Sequence, residues 1–173
     1  MNRRIALKNL MIASGGLVAL PAWAGKWCAE DVNNVHSTFS LTEQKLLASV
    51  ADTIIPTGNS IGALSVRVDK FLVKLLDDCY EKEVRDNVKK ELALLDANAK
   101  ITYAKNFAAC NQSQRQEMLL KLSASTEKLQ KDFFNLMKGE TIRGFNTSKE
   151  VMVTYLKYEV APGHYYGCVN VKS

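Results

Sequence analysis

Cysteines are the side chains with the clearest chemical potential, and the 173-residue chain contains four of them. Structural zinc sites use closely spaced ligand pairs, whereas these cysteines are widely separated, so no zinc site is predicted. An even number of cysteines favours disulfides when a chain enters an oxidising compartment, and four cysteines allow three pairings. We therefore expect at least one disulfide and leave its pairing open. The candidates are Cys28, Cys79, Cys110 and Cys168.

Cys79 and Cys110 also have a second interpretation, as buried free thiols. Cys79 continues the apolar face of a predicted helix, and a buried thiol behaves as a small apolar side chain. The sequence does not decide between a disulfide and a thiol at these two positions.

No cofactor or metal site is predicted in the rest of the chain. Gly58 and Gly62 have the wrong spacing for a dinucleotide-binding loop, and the C-x-x-C-H motif of covalent haem attachment is absent. Ser125 and Lys128 form an S-x-x-K pattern, but a serine at a helix start is an expected cap. His36 has no second ligand at metal-binding spacing. We expect no flavin, haem or metal in this chain.

One function that the sequence leaves open is an independent catalytic activity. It would use Asp52, Glu159 or His164 as acid and base groups, and it requires a pocket in which they converge. The second alternative is a helical ligand-binding module that works alone.

Residues 1–24 are typical of an export signal. Arg3 and Arg4 precede a short, mildly apolar stretch, and Ala22 and Ala24 form an A-x-A processing site. The arginine pair favours the twin-arginine route, which moves folded proteins, over an ordinary secretory signal. The sequence therefore predicts a periplasmic protein. It leaves open whether the signal is removed after Ala24 or kept as an anchor.

The charge of the chain does not predict nucleic-acid binding. The formal net charge is +5, but three of the 23 basic residues and none of the 18 acidic residues lie in the signal. The remaining body is almost neutral and lacks a phosphate-binding footprint.

The spacing of apolar residues predicts one all-α domain of about six helices over residues 40–173, after an extended arm at residues 25–39. Ser40 and Glu43 form a capping box that starts the first helix, and Pro56 stops it. A turn then leads into a second apolar helix, which makes a helix hairpin. In the third helix, the lysines and glutamates of residues 81–100 are expected to cover a solvated face.

Three features predict the boundaries of the later elements. Ser113 and Gln116 predict a capping box for the fourth helix, and Gly144 predicts the end of the fifth at a C-cap position. Residues 159–168 are aromatic and rich in turn formers, which predicts an irregular C-terminal strap. The strap could close the domain's own core or dock onto a partner.

Short motifs carry a family resemblance. They are A-D-T-I-I-P from Ala51 to Pro56, G-A at residues 62–63, V-x-x-F from Val68, and P-G-x-Y-x-G-C from Pro162. The chain resembles the small (gamma) subunit of gluconate 2-dehydrogenase. That resemblance implies a large FAD-dependent partner subunit of the glucose-methanol-choline class, and a cytochrome c subunit in many complexes.

On this resemblance, the chain is a non-catalytic subunit that assists folding, export and stability of the flavoprotein. FAD would belong to the partner. The hairpin break and the strap combine rigid turns with aromatic side chains, which are typical anchors of a partner surface. The interface candidates are Pro56, Gly62, Ala63, Pro162, Gly163, Tyr165 and Tyr166.

Overall fold

The computed structural model describes residues 37–159, and this part of the chain is helical without a strand. It contains five α-helices: α1 (Leu41–Ile54), α2 (Val68–Cys79), α3 (Lys82–Tyr103), α4 (Gln112–Ser123) and α5 (Lys128–Asn146). Short 3₁₀ turns lie at Leu64–Val66 and Phe107–Ala109, and a π-helical turn occupies Val151–Tyr155. The π-helical turn is the sixth helix expected from the sequence. The prediction of an all-α fold is confirmed.

Several predictions concern residues outside the described range. These are the export signal (Arg3, Arg4, Ala22, Ala24), Cys28 and His36, and the strap with Pro162, Gly163, His164, Tyr165, Tyr166 and Cys168. Among the described helices, none combines the length and apolar character needed to cross a bilayer.

Helix α1 lies at the centre of the described domain and packs against each of the other four α-helices. Leu47 and Val50 are completely buried because the three- and four-residue spacing of apolar residues gives α1 a broad apolar face. Phe107 and Phe133 close the same core from the second 3₁₀ turn and from α5. Burying each of these side chains contributes about 1.5–3 kcal/mol before the entropy cost of ordering the chain.

The start and end of α1 follow the predicted signals. The Ser40 backbone N–H donates to Glu43 Oε2 at 2.7 Å, and the Glu43 N–H donates to Ser40 Oγ at 3.3 Å. The helix ends at Ile54, two residues before Pro56. The capping box and the proline therefore set both boundaries.

The predicted start of α4 is wrong by two residues. Its capping box is made by Asn111 and Gln114: the Gln114 N–H donates to Asn111 Oδ1 at 2.9 Å, and the Asn111 N–H donates to Gln114 Oε1 at 3.1 Å. Asparagine caps a helix as well as serine does, so two overlapping boxes compete in the sequence. The earlier box forms, and Ser113 lies inside the helix.

The fifth helix ends near Gly144, as predicted, but Gly144 is not its C-cap, because α5 continues to Asn146 and Thr147 caps it. Gly144 is buried, and a Cβ atom built on it would lie 2.5 Å from Cδ1 of Phe71 on α2. The Arg143 guanidinium lies 5.9 Å from the centroid of the same ring. The glycine is needed for close packing of α5 against Phe71 rather than for a left-handed cap.

Candidate functional site

In the hairpin break between α1 and α2, two backbone segments lie close together and hold the ends of an exposed loop. The Ala63 N–H donates to the Ile55 carbonyl at 2.9 Å, which closes residues 56–62 into a loop. Gly62 is buried, and a Cβ atom there would lie 2.5 Å from the Thr57 nitrogen. Only glycine fits this close approach of two backbone segments.

The interface candidates of this break have different surroundings. Ala63 is fully buried and packs with Ala51, Val68 and Leu72, so its side chain is not presented to a partner. Gly62 is buried too, whereas Pro56 is exposed together with residues 57–60. Gly62 and Ala63 therefore determine the course of the loop, and Pro56 is the candidate that a partner can reach directly. Their role in an interface stays a prediction.

Asp52, in the A-D-T-I-I-P motif, forms an ion pair with α4. Its Oδ2 lies 2.9 Å from Nη2 of Arg115, and the two side chains are 23% and 13% exposed. Arg115 also donates to the Ser49 carbonyl at 3.4 Å, and Gln112 Nε2 donates to the Thr53 carbonyl at 3.0 Å. Arg115 and Gln112 thus hold α4 against α1 through one carboxylate and two backbone carbonyls of α1.

This contact bears on the enzyme alternative. The carboxylate of Asp52 already binds Arg115 and so positions α4 against α1. Glu159 is exposed at the end of the described range, and His164 lies beyond it. Within residues 37–159, no three His, Cys, Asp or Glu side chains form a group that could hold a metal ion. The expected absence of cofactors stays a prediction.

The cysteines in the described range are both free. Cys110 is buried, as the free-thiol interpretation predicted, and its Sγ lies 3.5 Å from the Asn106 carbonyl. Cys79 is exposed rather than buried, because it is the last residue of α2 and the apolar face reaches the surface there. No disulfide is found in the described range, so Cys79 and Cys110 are not joined to each other there, and the expected disulfide stays a prediction.

Ser125 acts in the turn before α5. Its Oγ donates to Gln130 Oε1 at 2.7 Å and accepts from the Glu127 N–H at 3.1 Å. The S-x-x-K spacing therefore reflects a turn that precedes a helix.

The end of the described chain carries four exposed apolar side chains within six residues. Val151 is buried and attaches the π-helical turn to the domain, Met152 is half-buried, and residues 153–159 are exposed. We call this the C-terminal apolar patch, and its members are each more than half exposed: Val153, Tyr155, Leu156 and Tyr158. Clustered exposed apolar groups mark binding surfaces more often than isolated ones do.

A groove between α3, α4 and the start of α5 was not predicted. It has a volume of about 300 Å³. We call it the α3–α4 groove, and it is lined by Glu91, Leu94, Leu95, Asn98, Thr102, Met118, Lys121, Leu122 and Gln130. Glu91 is only 3% exposed, so the expectation that the glutamates of this helix all cover a solvated face is wrong. The signal was present, because Glu91 lies beside Leu92 and between Val88 and Leu95 on the apolar face.

The described residues form a small all-α domain. Asp52 of the A-D-T-I-I-P motif makes a structural ion pair, and several large apolar side chains are exposed to solvent. The family model for gluconate 2-dehydrogenase subunit 3 matches residues 42–163, which is more than half of the chain. The chain therefore belongs to the gluconate 2-dehydrogenase subunit 3 family, as the motifs indicated. No curated protein and no solved structure matches it.

Proposed function

We propose that this chain is the non-catalytic small subunit of a periplasmic, FAD-dependent dehydrogenase complex that oxidises gluconate, a sugar or a polyol. It binds the large flavoprotein subunit, assists its folding and export, and stabilises it after export. FAD belongs to the large subunit, and a cytochrome c subunit is a further proposed member. Membership of the subunit 3 family supports a place in such a complex.

The single observation that carries the proposal is the C-terminal apolar patch. Tyr155 and Leu156 are 55% and 59% exposed, and they lie directly before the predicted strap with Tyr165 and Tyr166. Aromatic and large apolar side chains that enter a partner pocket are typical binding hot spots, and removing one often costs 2 kcal/mol or more, about 30-fold in affinity. The patch and the strap together place Tyr155, Leu156, Tyr158, Tyr165 and Tyr166 within twelve residues of sequence.

The test is co-purification with the large subunit. The tagged full chain is co-expressed with the flavoprotein, and the flavin absorbance of the purified complex is measured per mole of chain. Replacing Tyr155 and Leu156 together by serine should lower the flavin content at least tenfold. The melting temperature of the isolated chain should stay unchanged, because both side chains are exposed.

Leu41→Ser is the matched control, since Leu41 is a 78% exposed apolar residue at the start of α1. It should leave the flavin content unchanged. Purification of the wild-type chain alone with a stoichiometric cofactor and dehydrogenase activity would contradict the proposal.

Export is tested separately. The twin-arginine receptor reads the arginine pair, whereas an ordinary secretory signal needs only positive charge. Replacing Arg3 and Arg4 together by lysine should keep the chain and its flavoprotein in the cytoplasm, as measured by cell fractionation. Normal periplasmic amounts of the double variant would contradict the proposed route.

A further inference from the structure

The α3–α4 groove has an apolar wall and one buried acidic group. Leu94, Leu95, Met118 and Leu122 supply the apolar side chains of the wall, while Glu91 supplies a carboxyl group. Its volume of about 300 Å³ is enough for one long side chain and part of a neighbouring one.

Glu91 has no partner in the part of the chain that the structure describes. The side chain is 3% exposed, and no hydrogen bond or ion pair from residues 37–159 reaches it. Burial raises the pKa of the Glu91 carboxyl because it disfavours the charged form; the charge of Lys90 opposes the rise and that of Glu127 adds to it. The Glu91 side chain lines the groove, so a cation bound there would supply the partner that residues 37–159 do not.

Lys121, the cation that lines the groove, forms an exposed ion pair with Glu117 rather than with Glu91. Lys121 Nζ lies 2.8 Å from Glu117 Oε1, and the Tyr103 hydroxyl donates to Glu117 Oε2 at 2.9 Å. One helical turn before Glu91, the Oδ1 of Asn87 is buried without a donor, although Asn87 Nδ2 donates to the Leu129 carbonyl at 3.3 Å. Asn87 Oδ1 and the Glu91 carboxyl are therefore two neighbouring acceptors on α3 that receive no hydrogen bond from residues 37–159.

We propose that the α3–α4 groove receives an arginine or lysine side chain of the large flavoprotein subunit, with its cationic end on Glu91 and its carbon stem along Leu94, Leu95 and Met118. The inference rests on the proposed function. A long basic side chain fits because its stem is apolar and its end supplies several donors.

A protein partner fits better than a free small cation because the apolar surface extends beyond the groove. Leu94 is 41% exposed at the groove, and Ile101, seven residues later on the same side of α3, is 83% exposed. A partner segment with apolar residues beside its basic residue would cover both.

The test is a competition for one large subunit. Wild-type chain and a variant, carrying different tags, are co-expressed in full length with the flavoprotein, and their ratio in the flavin-containing complex is measured. Glu91→Gln should enter the complex about 30-fold less often than wild type, because the partner's cation then lacks its counter-charge. Glu83→Gln, the same change at an exposed position of α3, should compete equally.

The melting temperature separates a binding role from a structural one. The isolated Glu91→Gln chain should melt at the same or a higher temperature, since an unpaired buried carboxyl is removed. Equal competition by Glu91→Gln overturns the inference. Failure of the wild-type chain to bring down any flavoprotein overturns the proposed function instead, so the two failures are distinguishable.

A second variant keeps the inference testable if Glu91→Gln does not fold. Leu94→Lys places a cation three residues from Glu91 on the same side of α3, where it should occupy the groove and exclude the partner. Ala93→Lys, at an exposed neighbouring position, should compete like wild type. Normal assembly of Leu94→Lys overturns the inference. It does so even if the groove of the isolated chain binds the small cation n-butylguanidinium, or if the groove joins two copies of this chain.

Discussion

The guanidinium of Arg115 on α4 lies 2.9 Å from the carboxylate of Asp52 on α1, across 63 residues of sequence. The acid of the A-D-T-I-I-P motif therefore has an architectural role in this chain. It joins the central helix to the helix that forms one wall of the α3–α4 groove.

Removal of this ion pair should destabilise the domain. Asp52→Asn leaves the Arg115 guanidinium largely buried without its counter-charge, which should cost about 1–3 kcal/mol in the free energy of unfolding. Urea denaturation followed by circular dichroism measures the loss. Asp78→Asn, which breaks the exposed Lys74–Asp78 pair, should cost less than about 0.5 kcal/mol. Equal effects of the two changes would contradict the structural role of Asp52.

Replacing each of two glycines of α5 by alanine should have opposite effects on the stability of the domain. Gly139 has no atom within 4 Å of an added Cβ, so Gly139→Ala should stabilise the helix by up to about 1 kcal/mol. Gly144→Ala drives its Cβ into the Phe71 ring and should destabilise by about 1–3 kcal/mol relative to Gly139→Ala. Adding Phe71→Leu to Gly144→Ala should restore part of the loss. Thermal unfolding of the four chains measures these differences, and a stabilising Gly144→Ala would contradict the contact.

Asp77 should make the domain sensitive to acid. Burial pushes the pKa of Asp77 upward, but hydrogen bonds from the Thr38 and Ser37 side chains and the Thr38 N–H, with the charge of Arg85, lower it overall. A lowered folded pKa gives stability that is present above the usual value of 3.8 and is lost as the pH falls through the folded pKa.

The measurement is the unfolding free energy as a function of pH. Asp77→Asn should be less stable than wild type at pH 6, and the difference should shrink as the pH falls below about 3.8. Asp86→Asn, at an exposed position of α3, is the control. A constant difference between wild type and Asp77→Asn at all pH values would contradict the prediction.

The two described thiols should react at different rates. Cys79 is exposed and should be alkylated in the native protein within minutes, whereas Cys110 is buried and should react only after unfolding. Mass spectrometry of peptides from native and denatured chains, without reduction, assigns each label. We expect the predicted disulfide to join the other two cysteines, Cys28 and Cys168, so those two should stay unlabelled. Labelling of all four cysteines in the denatured chain would exclude a disulfide.

Local signals in the sequence were sufficient to predict the fold class and both ends of α1. Ser40, Glu43 and Pro56 act within a few residues of the helix ends, so their effect does not depend on distant packing. Asn111 shows the limit of this reasoning, because two capping boxes of similar strength overlap and only one can form. Tertiary packing then decides which residue caps the helix.

Contacts between distant helices could not be predicted. The partner of Asp52 lies 63 residues away, and the reason for Gly144 is a ring on another helix. Glu91 could have been singled out as an acid on the apolar face of α3. Its lack of a partner, however, becomes visible only once α4 and α5 are in place.

The close backbone contact at Gly62 also affects how the sequences of this family can diverge. The backbone approach at Gly62 leaves no space for a Cβ, while residues 57–60 are exposed between two fixed ends. Exposed loops with fixed ends tolerate insertions and deletions far better than the elements they join. Related subunits should therefore keep glycine here and differ in the length and composition of the loop before it, so that each lineage can adapt the loop to its own partner without rebuilding the helices.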